Sequence, residues 1–244
     1  MIPKVIHYCW FGGKPLPKSA IKCINSWKKF FPDYEIKEWN ESNFDVNMMA
    51  FTREANAAKK YAFVSDVARF WILYQEGGLY FDTDVEVIAP MDDIIKRGPF
   101  MGVEKMDVYE KGWPAVAPGL GLGAESGNDF YREILAHYQD CHFCDADGHQ
   151  LPGTVVMHCT QMLKKRGLQP TDQLQQIAGI WIYPSDFFCP LNDNTGVLVK
   201  TNNTRTIHWY SKTWNDKPKV YFQITRFLHR IFGERTLLKI KGKN

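Results

Sequence analysis

Asp82 and Asp84, one residue apart, are the side chains in this sequence whose type and spacing point most directly to chemistry. In a regular strand residues i and i+2 face the same way, so both carboxylates would converge. Paired anionic oxygens suit a hard divalent cation such as Mn²⁺ or Mg²⁺. Such an ion, left with open positions, would bind a diphosphate and neutralise the charge that grows on it as it departs. Asp-x-Asp alone is weak evidence, because a solvated turn with a capping aspartate has the same pattern. Upstream, Asp66 and Arg69 lie three apart on an expected helix and share a face. As a surface ion pair they would contribute ~0.3 kcal/mol. Facing a cleft, Asp66 would take a sugar or ribose hydroxyl and Arg69 would reach the sugar or the phosphates.

The elements that must position these groups are legible in the first 90 residues. Val5 to Trp10 is a short apolar run ended by Gly12-Gly13, which predicts a buried strand. Pro17 to Phe31 carries Ile21, Ile24, Trp27 and Phe31 at helical spacing, with Pro32 beyond its end. Tyr34 to Trp39 alternates as a half-buried strand does. Strand, helix and strand at this spacing predict a right-handed crossover in a parallel sheet. A second helix is expected over Ala62–Gln75, with Phe63, Val67, Phe70 and Tyr74 as its stripe and Gly77-Gly78 as its stop. Leu79-Tyr80-Phe81 then reads as a strand with the aspartates at its carboxyl end, where open α/β sheets bind ligands. Residues 98–128, rich in Gly and Pro, read as loop with short strands. Helices are expected at 130–138 and 154–166, and short strands and turns from there to 215.

Other clusters are weaker. Gly119-Leu120-Gly121-Leu122-Gly123-Ala124 lacks the strand-turn-helix frame of a dinucleotide fingerprint; backbone passing close beneath a sugar is the better reading. Cys141-x-x-Cys144, with His142, His149, His158 and Cys159 nearby, lacks a second close Cys pair, so ordinary thiols are expected rather than zinc. His7 reads as a satisfied core histidine. Trp10, after a strand and before two glycines, is placed to stack a nucleobase, worth ~1–3 kcal/mol, or to serve as a rim residue. A net charge of +3 does not suit a dedicated nucleic-acid binder. No secretory signal or membrane span is apparent, and a cytoplasmic setting is expected. The basic excess falls between Lys217 and Lys243, with eight Lys and Arg against Glu234 alone. That tail either lies on an anionic membrane surface or packs an apolar stripe on the domain. A domain over 1–215 with a basic amphipathic tail over 216–244 is therefore expected.

From Ser65 to Asp84 the chain shows Asp-x-x-Arg, Gly-Gly-x-Tyr and Asp-x-Asp in order. That run resembles the DXD sugar-binding region of family 32 glycosyltransferases, which include bacterial capsular polysaccharide transferases and a yeast outer-chain mannosyltransferase. The opening Ile2 to Gly13, Tyr34 to Asn40 and the late His208-Trp209-Tyr210-Ser211-Lys212-Thr213-Trp214 are similar to that family too. The large clostridial toxin glucosyltransferase domains look like distant relatives. The resemblance implies a GT-A fold, an α/β Rossmann-like mixed sheet flanked by helices, here with a C-terminal helical tail. It implies a nucleotide-diphosphate sugar donor, UDP favoured, a divalent metal, and retention of anomeric configuration. The acceptor would be a glycan or lipid-linked glycan, as in capsular or surface polysaccharide synthesis. By position, Asp66 and Arg69 would contact the donor sugar, and Asp82 and Asp84 would serve metal and ribose. Tyr80 would lie near the diphosphate, Trp10 near the base, and Ser211 on the donor. His208 and Trp214 would close over the diphosphate, His208 as a candidate third metal ligand. Ala117-Pro118 stands where the family leads one to expect a polar Asn or Thr, which puts an acceptor-side contact in doubt. A non-catalytic nucleotide-sugar or glycan-binding module is the rival reading; a two-metal phosphohydrolase would need further His or Asp ligands.

Overall fold

The strand expected at the N-terminus is β1 (Val5–Cys9), and α1 (Lys18–Phe30) carries the chain across to β2 (Glu35–Trp39). The two strands pair in parallel, from Val5 opposite Glu35 to Cys9 opposite Trp39. The structure is a computed structural model, and it describes residues 1–211 and 224–229. After β2 come α2 (Ala50–Ala57), α3 (Tyr61–Glu76), β3 (Gly78–Tyr80), β4 (Val85–Val87) and α4 (Asp92–Arg97). Next are β5 (Phe100–Met106), β6 (Pro114–Val116), a 3₁₀ turn at Pro118–Leu120 and β7 (Leu122–Ala124). Then follow α5 (Asp129–Gln139), α6 (Val155–Lys165), β8 (Gln175–Ile177), β9 (Ile180–Tyr183), α7 (Ser185–Phe188) and β10 (Thr206–His208). Residues 224–229 are helical. The rest of the expected 216–244 tail lies outside the described residues.

The main sheet runs β2-β1-β3-β7-β5-β9-β8, with β6 on β5, while β4 and β10 form a separate pair. β1 and β3 are parallel, β7 is antiparallel to both β3 and β5, and β9 is parallel to β5. Hence β1, β2, β3, β5 and β9 share one direction and one carboxyl rim. This is the mixed α/β sheet with flanking helices expected from the sequence. Strand side chains alternate between its two faces. Tyr80, Met101 and Val103 join the core under α2, α3, α5 and α6, whereas Leu79, Phe81 and Phe100 join the core with α1 and α7.

Two differences from the sequence reading matter for the site. First, within the 98–128 stretch expected as loop with short strands, β5 is a seven-residue strand in the middle of the sheet. Second, β3 ends at Tyr80, so Asp82 and Asp84 stand in a turn, not a strand; the Val85 N–H donates to the Asp82 carbonyl at 3.0 Å. The i, i+2 same-face rule therefore does not govern the two carboxylates. Among the described residues no helix is long and apolar enough to cross a membrane.

Candidate active site

Helix α3 presents Asp66 and Arg69 one turn apart, and α3 is buried on several sides. Arg69 is only 3% exposed, which excludes a surface ion pair. Its Nη2 lies 3.0 Å from Asp66 Oδ1 and 3.2 Å from Asp82 Oδ1, and its Nε donates to the Ser65 carbonyl at 3.0 Å. The guanidinium also sits over the Tyr80 ring, 5.2 Å from its centroid. Tyr80 Oη donates to Asp82 Oδ1 at 3.1 Å. Burial works against the charge on Arg69, yet Asp82, Tyr80 and Asp66 hold it firmly protonated. Burial pushes the Asp66 carboxyl up to about 7 against the pull of Arg69, with Asp82 adding to the rise. Asp82 is also raised by burial, opposed by Arg69.

Asp84 faces other partners. Its Oδ1 is 3.1 Å from His208 Nε2, its Oδ2 accepts from the Ser211 N–H at 2.8 Å, and its carbonyl accepts from the Trp209 N–H at 2.9 Å. Strand β10 brings this clasp up by pairing antiparallel with β4, His208 opposite Val85. Burial opposes the Asp84 charge, but His208 and then Ser211 hold the carboxyl well below the usual range. His208 is lowered by burial and raised more by Asp84, ending pushed up to about 9. Its Nδ1 is buried without a partner among the described residues.

Gly119 closes the floor. The Asp82 N–H donates to the Gly119 carbonyl at 3.3 Å. A Cβ at Gly119 would stand 2.1 Å from Asp82 Oδ2 and 3.1 Å from Arg69 Nη1. The glycine-rich run is thus backbone packed beneath the first aspartate. Trp10 stands half-buried at the carboxyl end of β1, on the same rim, its Nε1 donating to the Lys14 carbonyl. The structure therefore brings Asp66, Arg69, Tyr80 and Asp82 into one ion cluster, and Asp84, His208 and Ser211 into a second beside it. Trp214 lies outside the described residues. His7 is fully buried, Nε2 toward the Gly77 carbonyl at 3.0 Å and Nδ1 accepting from Trp39 Nε1 at 3.0 Å, which is structural.

Residues 17–101 match the family described as glycosyltransferase sugar-binding region containing DXD motif. The Asp-x-Asp of the family's description falls on Asp82-Thr83-Asp84. Inositol phosphoceramide mannosyltransferase 1 of Schizosaccharomyces pombe is 29% identical over 129 residues, covering 48% of this chain and 39% of that protein. Subversion of eukaryotic traffic protein A of Legionella pneumophila is 27% identical over 121 residues, covering 38% of this chain and 19% of that protein. The chain thus spans well under half the length of these relatives. Among solved structures, the PaToxG glycosyltransferase superposes with a TM-score of 0.47 at 23% identity, covering 67% of this chain and 69% of that one. The galactosyltransferase LgtC, in complex with donor and acceptor sugar analogues, gives 0.46 at 14% identity, covering 91% and 95%.

Residues that sequence reasoning missed surround the DXD region. Glu104, at the carboxyl end of β5, accepts from Tyr210 Oη at 2.9 Å. Its strand had the composition of a loop, so no local signal marked it. Tyr210 sat in a stretch already singled out, but its left-handed backbone, φ 49°, is visible only in three dimensions.

The carboxylates form a donor set suited to a hard divalent cation. Among the described residues, however, only the exposed Asp145, Asp147 and His149 bring three ligand atoms within 4.8 Å of one another; Asp82, Asp84 and His208 do not. Asp82 and Asp84 fit the role of oxygen ligands, and His208, its Nε2 3.1 Å from Asp84 Oδ1, stands beside them as the candidate third.

Proposed function

We propose that the chain is a retaining glycosyltransferase that moves a sugar from a nucleotide-diphosphate sugar, UDP favoured, to a hydroxyl of a glycan or lipid-linked glycan. The observation that carries this reading is the pair of adjacent carboxylates at the sheet's carboxyl rim, Asp82 paired with buried Arg69 and Asp84 with His208, within a DXD sugar-binding region. Mn²⁺ or Mg²⁺ on Asp82 and Asp84 would supply Lewis-acid neutralisation of the departing diphosphate. His208 joins that set as a ligand only after losing its proton.

Arg69 and Asp66 belong to the donor sugar, Arg69 as a donor of hydrogen bonds and Asp66 as an acceptor from a hydroxyl. Trp10 would stack the base, and Tyr80 holds Asp82 toward the diphosphate side. Ser211 fixes Asp84, and with Trp214 it completes the donor side in this assignment. The reaction is then a front-face displacement through an oxocarbenium-like sugar, with the leaving oxygen taking the acceptor proton. Surface polysaccharide synthesis at the inner face of the membrane suits a lipid-linked acceptor. Ile224 and Phe227, exposed one turn apart in a basic stretch, support peripheral contact there. Vesicle flotation with and without residues 219–244 tests that contact.

The deciding experiment measures UDP release from UDP-sugars with Mn²⁺, with and without acceptor. Release only with acceptor supports transfer, and its absence with every acceptor favours a binding module. Asp84→Ala should lose several orders of magnitude in turnover while staying folded; near-normal turnover would refute the assignment.

A further inference from the structure

The clasp over Asp84 spans His208 to Ser211, and its central residue points away from Asp84. Tyr210 Oη donates to Glu104 Oε1 at 2.9 Å and accepts from Cys189 Sγ at 2.9 Å. The phenol has one hydrogen, which goes to the carboxylate, so the thiol is the donor in the second bond. Burial, with help from neighbouring Glu104, keeps Cys189 a thiol despite the Tyr210 hydroxyl, its pKa pushed up to about 12. The Tyr210 ring lies 4.2 Å from the His208 ring, centroid to centroid. Its backbone is in the left-handed region, which a bulky residue adopts only when its surroundings hold it there. With that backbone, His208 and Ser211 turn to one side and reach both oxygens of Asp84, while the tyrosine turns to the other.

We propose that Glu104 and Tyr210 form a latch that fixes the 208–211 clasp on Asp84, making both positioning residues for the donor-diphosphate end of the site. The latch joins the carboxyl end of central strand β5 to the residues following edge strand β10. It therefore ties the least supported part of the site to the best supported one. Glu104 acts here through its acceptor oxygen, not as a nucleophile or base. This role rests on the proposed donor site, whereas the latch itself can be measured without any ligand.

The test uses three variants of the full chain. Glu104→Gln keeps a carbonyl oxygen for the tyrosine, Glu104→Ala removes it, and Tyr210→Phe keeps the ring and its packing but loses both hydrogen bonds. Amide exchange at Trp209 and Ser211, whose N–H groups bond Asp84, is followed first without ligand. Affinity for UDP in the presence of Mn²⁺ is then measured by calorimetry. Tyr210→Phe and Glu104→Ala should both speed exchange at these amides about tenfold or more and weaken UDP–Mn²⁺ binding ~10–100-fold, the usual effect of losing a group that orients a ligand side chain. Glu104→Gln should stay close to the parent in both. Two results would overturn the latch: Glu104→Gln as impaired as Glu104→Ala, or Tyr210→Phe with unchanged exchange at these amides. A parent chain that binds no UDP, in which exchange still follows the expected order, would leave the latch standing and sink the donor reading alone.

Discussion

Replacing Arg69 with Met removes a buried cation and leaves two carboxylates facing the space it held. The guanidinium is 3% exposed and touches Asp66 at 3.0 Å and Asp82 at 3.2 Å. Methionine is unbranched and of similar reach, so lost packing is a small part of the cost. The main cost is uncompensated negative charge, and breaking a buried pair by deleting one partner costs about 3–5 kcal/mol. An exposed pair would cost only about 0.2–1 kcal/mol. The carboxylates can relieve the strain by taking up a proton, and burial already raises both, Asp66 to about 7. Loss of Arg69 raises them further, since it is the largest influence opposing burial at both sites. A carboxyl whose folded pKa is raised contributes stability at low pH and loses it as pH climbs through that value. The deficit of Arg69→Met should therefore be about 3–5 kcal/mol at pH 8 and smaller at pH 5. Urea unfolding of parent and variant at both pH values measures it. A deficit below about 1 kcal/mol at pH 8 would mean the pair behaves as a surface salt bridge, and the buried ion cluster would be wrong.

Gly119→Ala places a methyl 2.1 Å from Asp82 Oδ2, so the carboxylate must move. Transfer activity should fall ~10²-fold, as for an ångström-scale misplacement, with an unchanged circular dichroism spectrum. His7, pushed by burial from 6.5 down to about 4, stays neutral while the unfolded chain takes up a proton. Stability should thus be lost as pH falls from 6.5 to 4, by ~3 kcal/mol from this residue, and urea titrations of the parent and His7→Gln should differ in slope across that window. Mn²⁺ with UDP should raise the melting temperature of the parent but not of Asp84→Ala, a thermal-shift comparison that needs no acceptor.

How much of this was legible in the sequence depends on what local pattern encodes. The β1-α1-β2 crossover and α3 followed from periodicity, because each buries one well-defined stripe. Helix α2 escaped: its N-cap is Met49, with no side-chain cap and no acid in its first turn. The length and central place of strand β5 escaped for a different reason. Gly102 made it look like loop, yet a Cβ there would stand 2.6 Å from Phe188, so the glycine serves the packing of α7 on a central strand. Glu104 was lost with its strand. The pairing of Asp66 with Arg69 was legible, but its burial was not, because sheet and helices cover α3 on faces that spacing alone assigns to solvent.

The two aspartates share a motif but are positioned by different parts of the chain. Asp82 continues from β3 toward α3 and its arginine, whereas the turn after it hands Asp84 to residues that arrive more than a hundred positions later. Those residues come in on β10, which pairs with β4 over three residue pairs only. A ribbon of that size is marginal by itself, and regions of low local stability open first. Local opening of β10 would release both His208 and Ser211 from Asp84, so a ligand that uses Asp84 should bind the closed form alone. Such a ligand suppresses opening in proportion to its occupancy. UDP with Mn²⁺ should therefore slow amide exchange across residues 206–211 while leaving β1 and β3, on the other side of the motif, nearly unchanged. Equal protection of all three strands, or none at β10, would show that Asp84 is not where the donor meets the protein.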